Sequence, residues 1–198
     1  RRRIKKYYRK DSEVLYPPVD TKKFKVGDRH EGFYLIVSAL TPFKKIDLAV
    51  QLFNKIGKRL VVIGSGAQLD YLRTIAGPTV DVIGRQSDAT VAEYMRTCRA
   101  YIMPAEEDFG IAPVEAMASG KPVLAYGRGG ATETVVPGKT GELFYEPTIE
   151  SMEDALGRLI INEPNTSPLA IRKHANLFGQ ERFERDFGRL VQRCWRDA

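Results

Sequence analysis

Six short apolar runs, separated by stretches of helical periodicity and by glycine turns, constrain this chain more than any other feature. The runs fall at 33–37, 60–63, 80–84, 100–103, 122–126 and 143–144. Phe33-Tyr34-Leu35-Ile36-Val37 and Leu60-Val61-Val62-Ile63 are continuous rather than alternating, as in strands covered on both faces. After the first run, Ile46, Ala49, Val50, Phe53 and Ile56 recur at helical spacing, and Gly57 stops them. The same rhythm predicts helices over 68–75, around Val91, Tyr94 and Met95, over 112–119 with Gly120 as C-cap, over 150–161 and over 182–195. Ser87 or Asp88 caps the second of these. The region of Ile171 and a short segment ending at Val136 also read as helical. Strand alternating with helix predicts an α/β fold with a doubly wound parallel sheet and helices on both faces. The 198 residues suit one such domain. The expected division is a basic lead and linker over 1–29 and the folded domain over 30–198.

In such a sheet a ligand belongs at the carboxyl ends of the strands. The unusual stretches of this sequence all fall there: 39–45, 64–66, 84–88, 104–115 and 127–133. Charge narrows the function further. Residues 1–10, RRRIKKYYRK, carry seven basic side chains and no acid, whereas the other 188 residues hold 24 basic and 25 acidic ones. A nucleic-acid-binding domain would cluster its basic residues on a folded face, so that class is set aside. The lead reads either as a solvated helix end or as a contact with an anionic membrane surface. No apolar run reaches the roughly 18 to 20 residues of a membrane span, and the charged N-terminus does not resemble a secretory signal. Cys98 and Cys194 read as free thiols of a reducing compartment, and the expected location is cytoplasmic. With only His30 and His174, no Cys-x-x-Cys and no Asp-x-Asp, no metal site is expected.

Gly64-Ser65-Gly66 is not a dinucleotide fingerprint, because Leu69 stands where a third glycine would be. No acidic residue ends the next strand to take a ribose, which argues against a nicotinamide enzyme. The glycines serve a tight turn or a ligand equally well. The stretch from Pro104 to Val123 says more. Phe109-Gly110-Ile111 lies between a strand end and a helix start, where backbone N–H groups and the helix dipole favour an anion. Glu107 precedes that helix and Glu115 lies inside it. A glutamate in a short apolar helix is either paired, as in a salt bridge or a cap, or accepts two hydroxyls from a sugar diol. Lys44 is a surface lysine or a phosphate cation. Arg85 is a surface residue or a flank of the site, the 127–130 glycines a backbone device or part of it, and Glu133 reads as an anchor.

Glu107-x7-Glu115 with Phe109-Gly110 inside it resembles the signature of family-4-type (group 1) retaining glycosyltransferases of the GT-B fold. Tyr16-Pro17-Pro18-Val19-Asp20, Lys44 in Thr-Pro-Phe-Lys-Lys-Ile-Asp, Val62-Ile63-Gly64-Ser65-Gly66, Gly84-Arg85, Gly120-Lys121-Pro122-Val123, Gly129-Gly130-Ala131-Thr132-Glu133 and Gly138-Lys139-Thr140-Gly141 follow in that family's order, so the resemblance covers about 14–196. It implies a Rossmann-like donor-binding half, without the N-terminal acceptor-binding half, and inactive alone. It also implies that Glu115 binds the ribose of a nucleotide sugar and that Glu107 lies near the transferred sugar, with Lys44 at the diphosphate. By the same resemblance Ser38 and the amides of Phe109, Gly110 and Ile111 hold the donor, and Gly64, Gly66, Gly84 and Arg85 flank the base. Glu107 and Lys44 are then the catalytic candidates. The family often places an arginine beside the phosphates, in an Arg-Leu pair before the lysine; here that pair reads Ala39-Leu40. GDP-mannose is the favoured donor and a UDP-sugar the alternative. The partners implied are the nucleotide sugar, a glycan or lipid-linked acceptor and the missing half, with no nucleic acid, no cofactor and no metal. The competing readings are a non-catalytic nucleotide-binding or regulatory domain and an adaptor that binds membrane or nucleic acid through its basic lead.

Overall fold

The computed structural model describes residues 2–27 and 29–196. Its six strands are β1 (Tyr34–Val37), β2 (Leu60–Ile63), β3 (Val80–Gly84), β4 (Ala100–Met103), β5 (Val123–Tyr126) and β6 (Gly141–Phe144). All pair in parallel in the order β3-β2-β1-β4-β5-β6. The helices are α1 (Arg2–Tyr8), α2 (Ile46–Ile56), α3 (Leu69–Ile75), α4 (Asp88–Thr97), α5 (Ile111–Ala118), α6 (Ala131–Thr134), α7 (Ile149–Asn162), α8 (Pro168–Ala175) and α9 (Gln180–Arg196). The α/β doubly wound sheet expected from the sequence is therefore the fold.

The two-residue period of a strand sorts the apolar runs onto two cores. Tyr34, Ile36, Leu60, Val62 and Ile102 face one side, where α2, α3 and α7 cover them. Leu35, Val61, Ile63, Tyr101 and Val123 face the other, where α4, α5 and α8 pack. α2 shows how the sequence does this. Its Ile46, Ala49, Val50, Leu52 and Phe53 are buried, and each fully buried large side chain contributes about 1.5–3 kcal/mol. Gly57 ends the helix in the left-handed conformation, and its N–H donates to Phe53 O at 3.0 Å. Ser87 caps α4 by accepting from the Thr90 amide.

Two readings need correction. The linker expected up to Arg29 is partly core: Val19 and Phe24 are buried, and Val19 bridges to Gly179. These are single apolar residues without a period, so no pattern reveals them. The last strand begins at Gly141, two residues earlier than its apolar pair. A Cβ at Gly141 would fall 1.9 Å from Val123 O, so the strand needs a glycine there. Its Glu142 is buried, and it accepts from the Gly138 amide at 3.0 Å and from Asn162 Nδ2 at 2.9 Å.

The chain starts at β1, builds outward to β3, then returns to lay β4 on the other side of β1. That reversal is a topological switch point, where two loops leave in opposite directions and open a crevice. Only Tyr34↔Ala100 and Leu35↔Tyr101 pair between β1 and β4. Beyond them the strand ends part, and the Tyr101 hydroxyl donates to Val37 O at 2.7 Å.

Candidate functional site

The crevice at the switch point is a cleft of about 380 Å³. Ser38 and Ala39 after β1, Pro104 and Ala105 after β4, and the turn into α5 line it, with Lys44 and Pro17 at its sides. Two roomier grooves lie elsewhere, one around Thr21, Arg172 and Glu181 and one around Tyr16, His174 and Arg193. Neither sits at the strand ends where the fold places ligands.

Lys44 ends a single 3-10 turn, Pro42–Lys44, started by the proline. Lys45 then takes the left-handed conformation, φ 53°, and α2 begins. This turn sends the Lys44 side chain back into the cleft, where its ammonium pairs with the Glu107 carboxylate. Both side chains are mostly buried, and burial pulls the Lys44 pKa below the ordinary lysine value. Lys44 is the one cation among the described residues lining the cleft. Ala39, where the resembling family often has arginine, does line it, while Lys45 and Arg85 are exposed and do not.

Opposite Lys44, α5 presents its N-terminus. No side chain caps it, and Gly110 at the cap position has φ 83°. Phe109, Gly110 and Ile111 all line the cleft. The positive end of α5 and the Lys44 ammonium thus converge on one space, which suits a multiply charged anion.

The Glu107 loop is held by the glycine loop after β5. Gly130 N–H donates to Glu107 O at 2.7 Å, and Gly129 bridges to Glu107. A Cβ at Gly130 would fall 2.4 Å from Phe109 Cα, so this approach requires glycine. The glycines of 127–130 thus hold the Glu107 loop through the backbone, and they do not line the cleft. Phe109 is anchored from below by Tyr16 and Phe178, with ring centroids 5.7 Å away in each case. The Tyr16 hydroxyl donates to Glu133, which gives Glu133 the anchoring role expected of it. Sequence reasoning missed Pro17, Tyr16 and Phe178 as site-forming residues. The Tyr16-Pro17 words were legible, but only a distant fold contact joins them to Phe109.

Glu115 lies one turn into α5, partly buried, and does not line the cleft itself. Burial raises its pKa above the ordinary glutamate value; Lys23 opposes this, while Asp88 and Asp20 add to it. Its charge acts on Tyr101, a lining residue, so it sits beside the cleft and toward α4. Gly64 and Gly66 lie behind the β1 loop. A Cβ at Gly64 would fall 1.8 Å from Ser38 O and one at Gly66 2.4 Å from Leu40 O. Their place is thus to let Ser38-Ala39-Leu40 settle onto β2. Gly84 ends β3, accepts from the Gly64 amide at 3.0 Å and is followed by exposed Arg85. The structure therefore groups Ser38, Lys44, Glu107, Phe109, Gly110 and Ile111 in one cleft. Gly64, Gly66, Gly84, Arg85 and Glu115 do not line it. Among the described residues no group of three or more His, Cys, Asp or Glu converges to hold a metal ion.

The profile of the family described as glycosyl transferases group 1 matches residues 19–177. An uncharacterized glycosyltransferase of Methanocaldococcus jannaschii is 30% identical over 155 residues, covering 76% of this chain and 44% of that protein. A GDP-mannose-dependent alpha-(1-6)-phosphatidylinositol monomannoside mannosyltransferase of Mycobacterium tuberculosis is 29% identical over 182 residues, covering 76% of this chain and 47% of its own length. Among solved structures, that of Anabaena HepE in complex with UDP and glucose superposes with a TM-score of 0.77. It is 20% identical and matches 91% of this chain and 56% of its own. The chain spans about half the length of the relatives it matches.

Proposed function

Because the chain belongs to the group 1 glycosyl transferases, we propose that the cleft between β1 and β4 takes a nucleoside-diphosphate sugar as the donor of a retaining glycosyl transfer. The observation that carries this reading is the convergence of Lys44, Glu107 and the uncapped start of α5 on one space at the switch point. A diphosphate fits between the ammonium and the helix start. The sugar then lies toward Glu107, and the nucleoside runs past Tyr101 toward Glu115, whose carboxylate accepts the ribose hydroxyls. Ser38 and the amides of Phe109, Gly110 and Ile111 hold the donor. Gly64, Gly66, Gly84 and Arg85 flank the base.

As the bond to the sugar breaks, negative charge grows on the departing diphosphate. Lys44 and the α5 dipole stand in fixed positions to meet it, which is electrostatic stabilisation with little reorganisation. The diphosphate also serves as the base that takes the acceptor's proton on the same face, so configuration is retained. GDP-mannose is the donor we favour, in line with the mannosyl-transferring relative, and a UDP-sugar is the alternative. The acceptor, a glycan or lipid-linked sugar, binds a second half of the kind the full-length relatives have room for, and the present chain alone does not transfer. We place the protein in the cytoplasm at the inner membrane face, where α1 sets exposed Tyr7 and Tyr8 beside Lys5 and Lys6. A non-catalytic nucleotide-binding role draws support from one observation, the alanine at position 39 in place of a second cation.

A thermal-shift panel of GDP, UDP, ADP and their sugars tests the reading. A nucleotide at 100 times its Kd adds about 2.7 kcal/mol of stability, roughly 5–10 °C for a domain of this size. No shift with any nucleotide contradicts the donor site. The same shift is expected in excess EDTA, because no Asp-x-Asp pair or histidine cluster offers ligands at the strand ends. A shift that vanishes with EDTA and returns with Mg²⁺ or Mn²⁺ contradicts the metal-free reading.

A further inference from the structure

We propose that Phe43 is a positioning residue of the donor site: the face of its exposed ring holds the Lys44 ammonium at the cleft and keeps it there when a diphosphate replaces Glu107 as its partner. The inference rests on the phosphate reading of Lys44 and adds to it a residue that does not line the cleft.

The starting observation is a large apolar side chain that the fold leaves unused. Phe43 is 65% exposed and belongs to neither core. Its side chain has no part in the 3-10 turn that carries it: Pro42 starts the turn, and the Lys45 amide closes it on Pro42 O at 3.2 Å. An exposed phenyl ring gains little from the hydrophobic effect. What the ring does touch is the cation beside it. Lys44 Nζ lies over its face, 5.2 Å from the centroid, within the roughly 6 Å over which a ring quadrupole attracts a cation. Arg59 and Arg99 also lie over rings, but those rings, of Phe33 and Tyr34, fill the cores as well.

The ammonium thus has two partners of different kinds. The Glu107 carboxylate lines the cleft, and the Phe43 ring does not. An arriving diphosphate competes with the carboxylate for the ammonium. It does not compete for the ring, whose negative face repels an anion. The ring is therefore the partner that stays. A lysine stem is flexible, and holding it costs entropy. A ring that confines the ammonium beforehand leaves less of that cost to the binding step. The bound ligand also displaces water from the ammonium, and a cation–π contact strengthens as it is desolvated. Both effects favour the bound state over the free one.

The experiment compares the parent with Phe43→Leu, Phe43→Trp and a chain carrying pentafluorophenylalanine at position 43. The last keeps an aromatic ring of similar shape and reverses its quadrupole. Without ligand, the Lys44 ε-methylene protons are followed by NMR, because a ring face shifts them upfield. Calorimetry at low salt then measures a nucleoside diphosphate and the bare nucleoside. The expected result is an upfield shift that disappears in Phe43→Leu, and a nucleoside diphosphate affinity about two- to fivefold lower in that variant. Phe43→Trp restores the affinity, the fluorinated ring lowers it at least as far as leucine does, and the nucleoside binds all four proteins alike. A fluorinated protein with parental affinity overturns the proposal, because the ring then acts by shape alone. So does an equal loss for the nucleoside, which means that Phe43 touches the ligand itself. If the parent binds no nucleoside diphosphate, the donor reading fails; the ligand-free shift still decides whether Phe43 holds Lys44, and an ε-methylene signal unmoved in Phe43→Leu shows that it does not.

Discussion

Glu115→Gln lowers nucleoside diphosphate affinity by about 1.5–3 kcal/mol, roughly ten- to 150-fold, and leaves the fold intact. The carboxylate stands partly buried beside the cleft that Lys44, Glu107 and the start of α5 line. A charged acceptor of two ribose hydroxyls is worth more there than in water. The amide keeps the shape and removes the charge, so the loss belongs to recognition. Stability moves little and favourably, because the buried negative charge that raises the Glu115 pKa is gone. A 2′-deoxy analogue separates recognition from shape. It binds the parent much more weakly than the ribonucleotide does, and the variant hardly distinguishes the two. Calorimetry of both ligands against both proteins reads this, and equal losses mean that Glu115 does not touch the sugar.

Lys44 gives the second large effect. Lys44→Ala weakens nucleoside diphosphate by about 2 kcal/mol, the scale of one charge-assisted hydrogen bond and about thirtyfold in affinity. The bare nucleoside has no phosphate and is nearly unaffected. No other basic side chain among the described residues lines the cleft, so no neighbour substitutes. The ion pair with Glu107 adds an outcome of opposite sign. In the ligand-free cleft that carboxylate competes with the diphosphate for the ammonium. Glu107→Gln therefore binds nucleoside diphosphate at least as tightly as the parent, yet loses preference for the nucleotide sugar over the nucleotide. Low salt gives the clearest reading, since screening weakens the contact. A Lys44→Ala protein with parental affinity leaves the phosphate site to the backbone alone.

The fold was legible because period and composition agree. Continuous apolar runs announced strands covered on both faces, and Ile46 to Ile56 with Gly57 gave α2 to the residue. The site was legible in part. Glu115 stands out as a glutamate in an apolar helix, and the start of α5 because it follows a strand end directly, while Glu107 and Lys44 stand out only through the family resemblance. What the sequence could not show was joined by distance in space. The glycines of 127–130 and the Tyr16, Phe109 and Phe178 cluster position Glu107 through contacts between remote segments. Val19 and Phe24 enter the core singly, from a stretch whose prolines suggest a linker. For Gly64 and Gly66 a tight turn and a ligand were equally open readings, and the close approach of the neighbouring β1 loop requires glycine at both. A turn that must accept a backbone and a turn that must accept a phosphate use the same residue.

The most direct test is to titrate a nucleoside diphosphate into the nitrogen-15-labelled chain and follow its amide signals. The donor-site account predicts saturable shifts confined to Ser38, Lys44 and the Phe109 to Ala112 turn, with a weaker set near Gly84 and Glu115. Shifts gathered instead around Thr21, Arg172 and Glu181, or around His174 and Arg193, place the ligand in one of the other two grooves and contradict it.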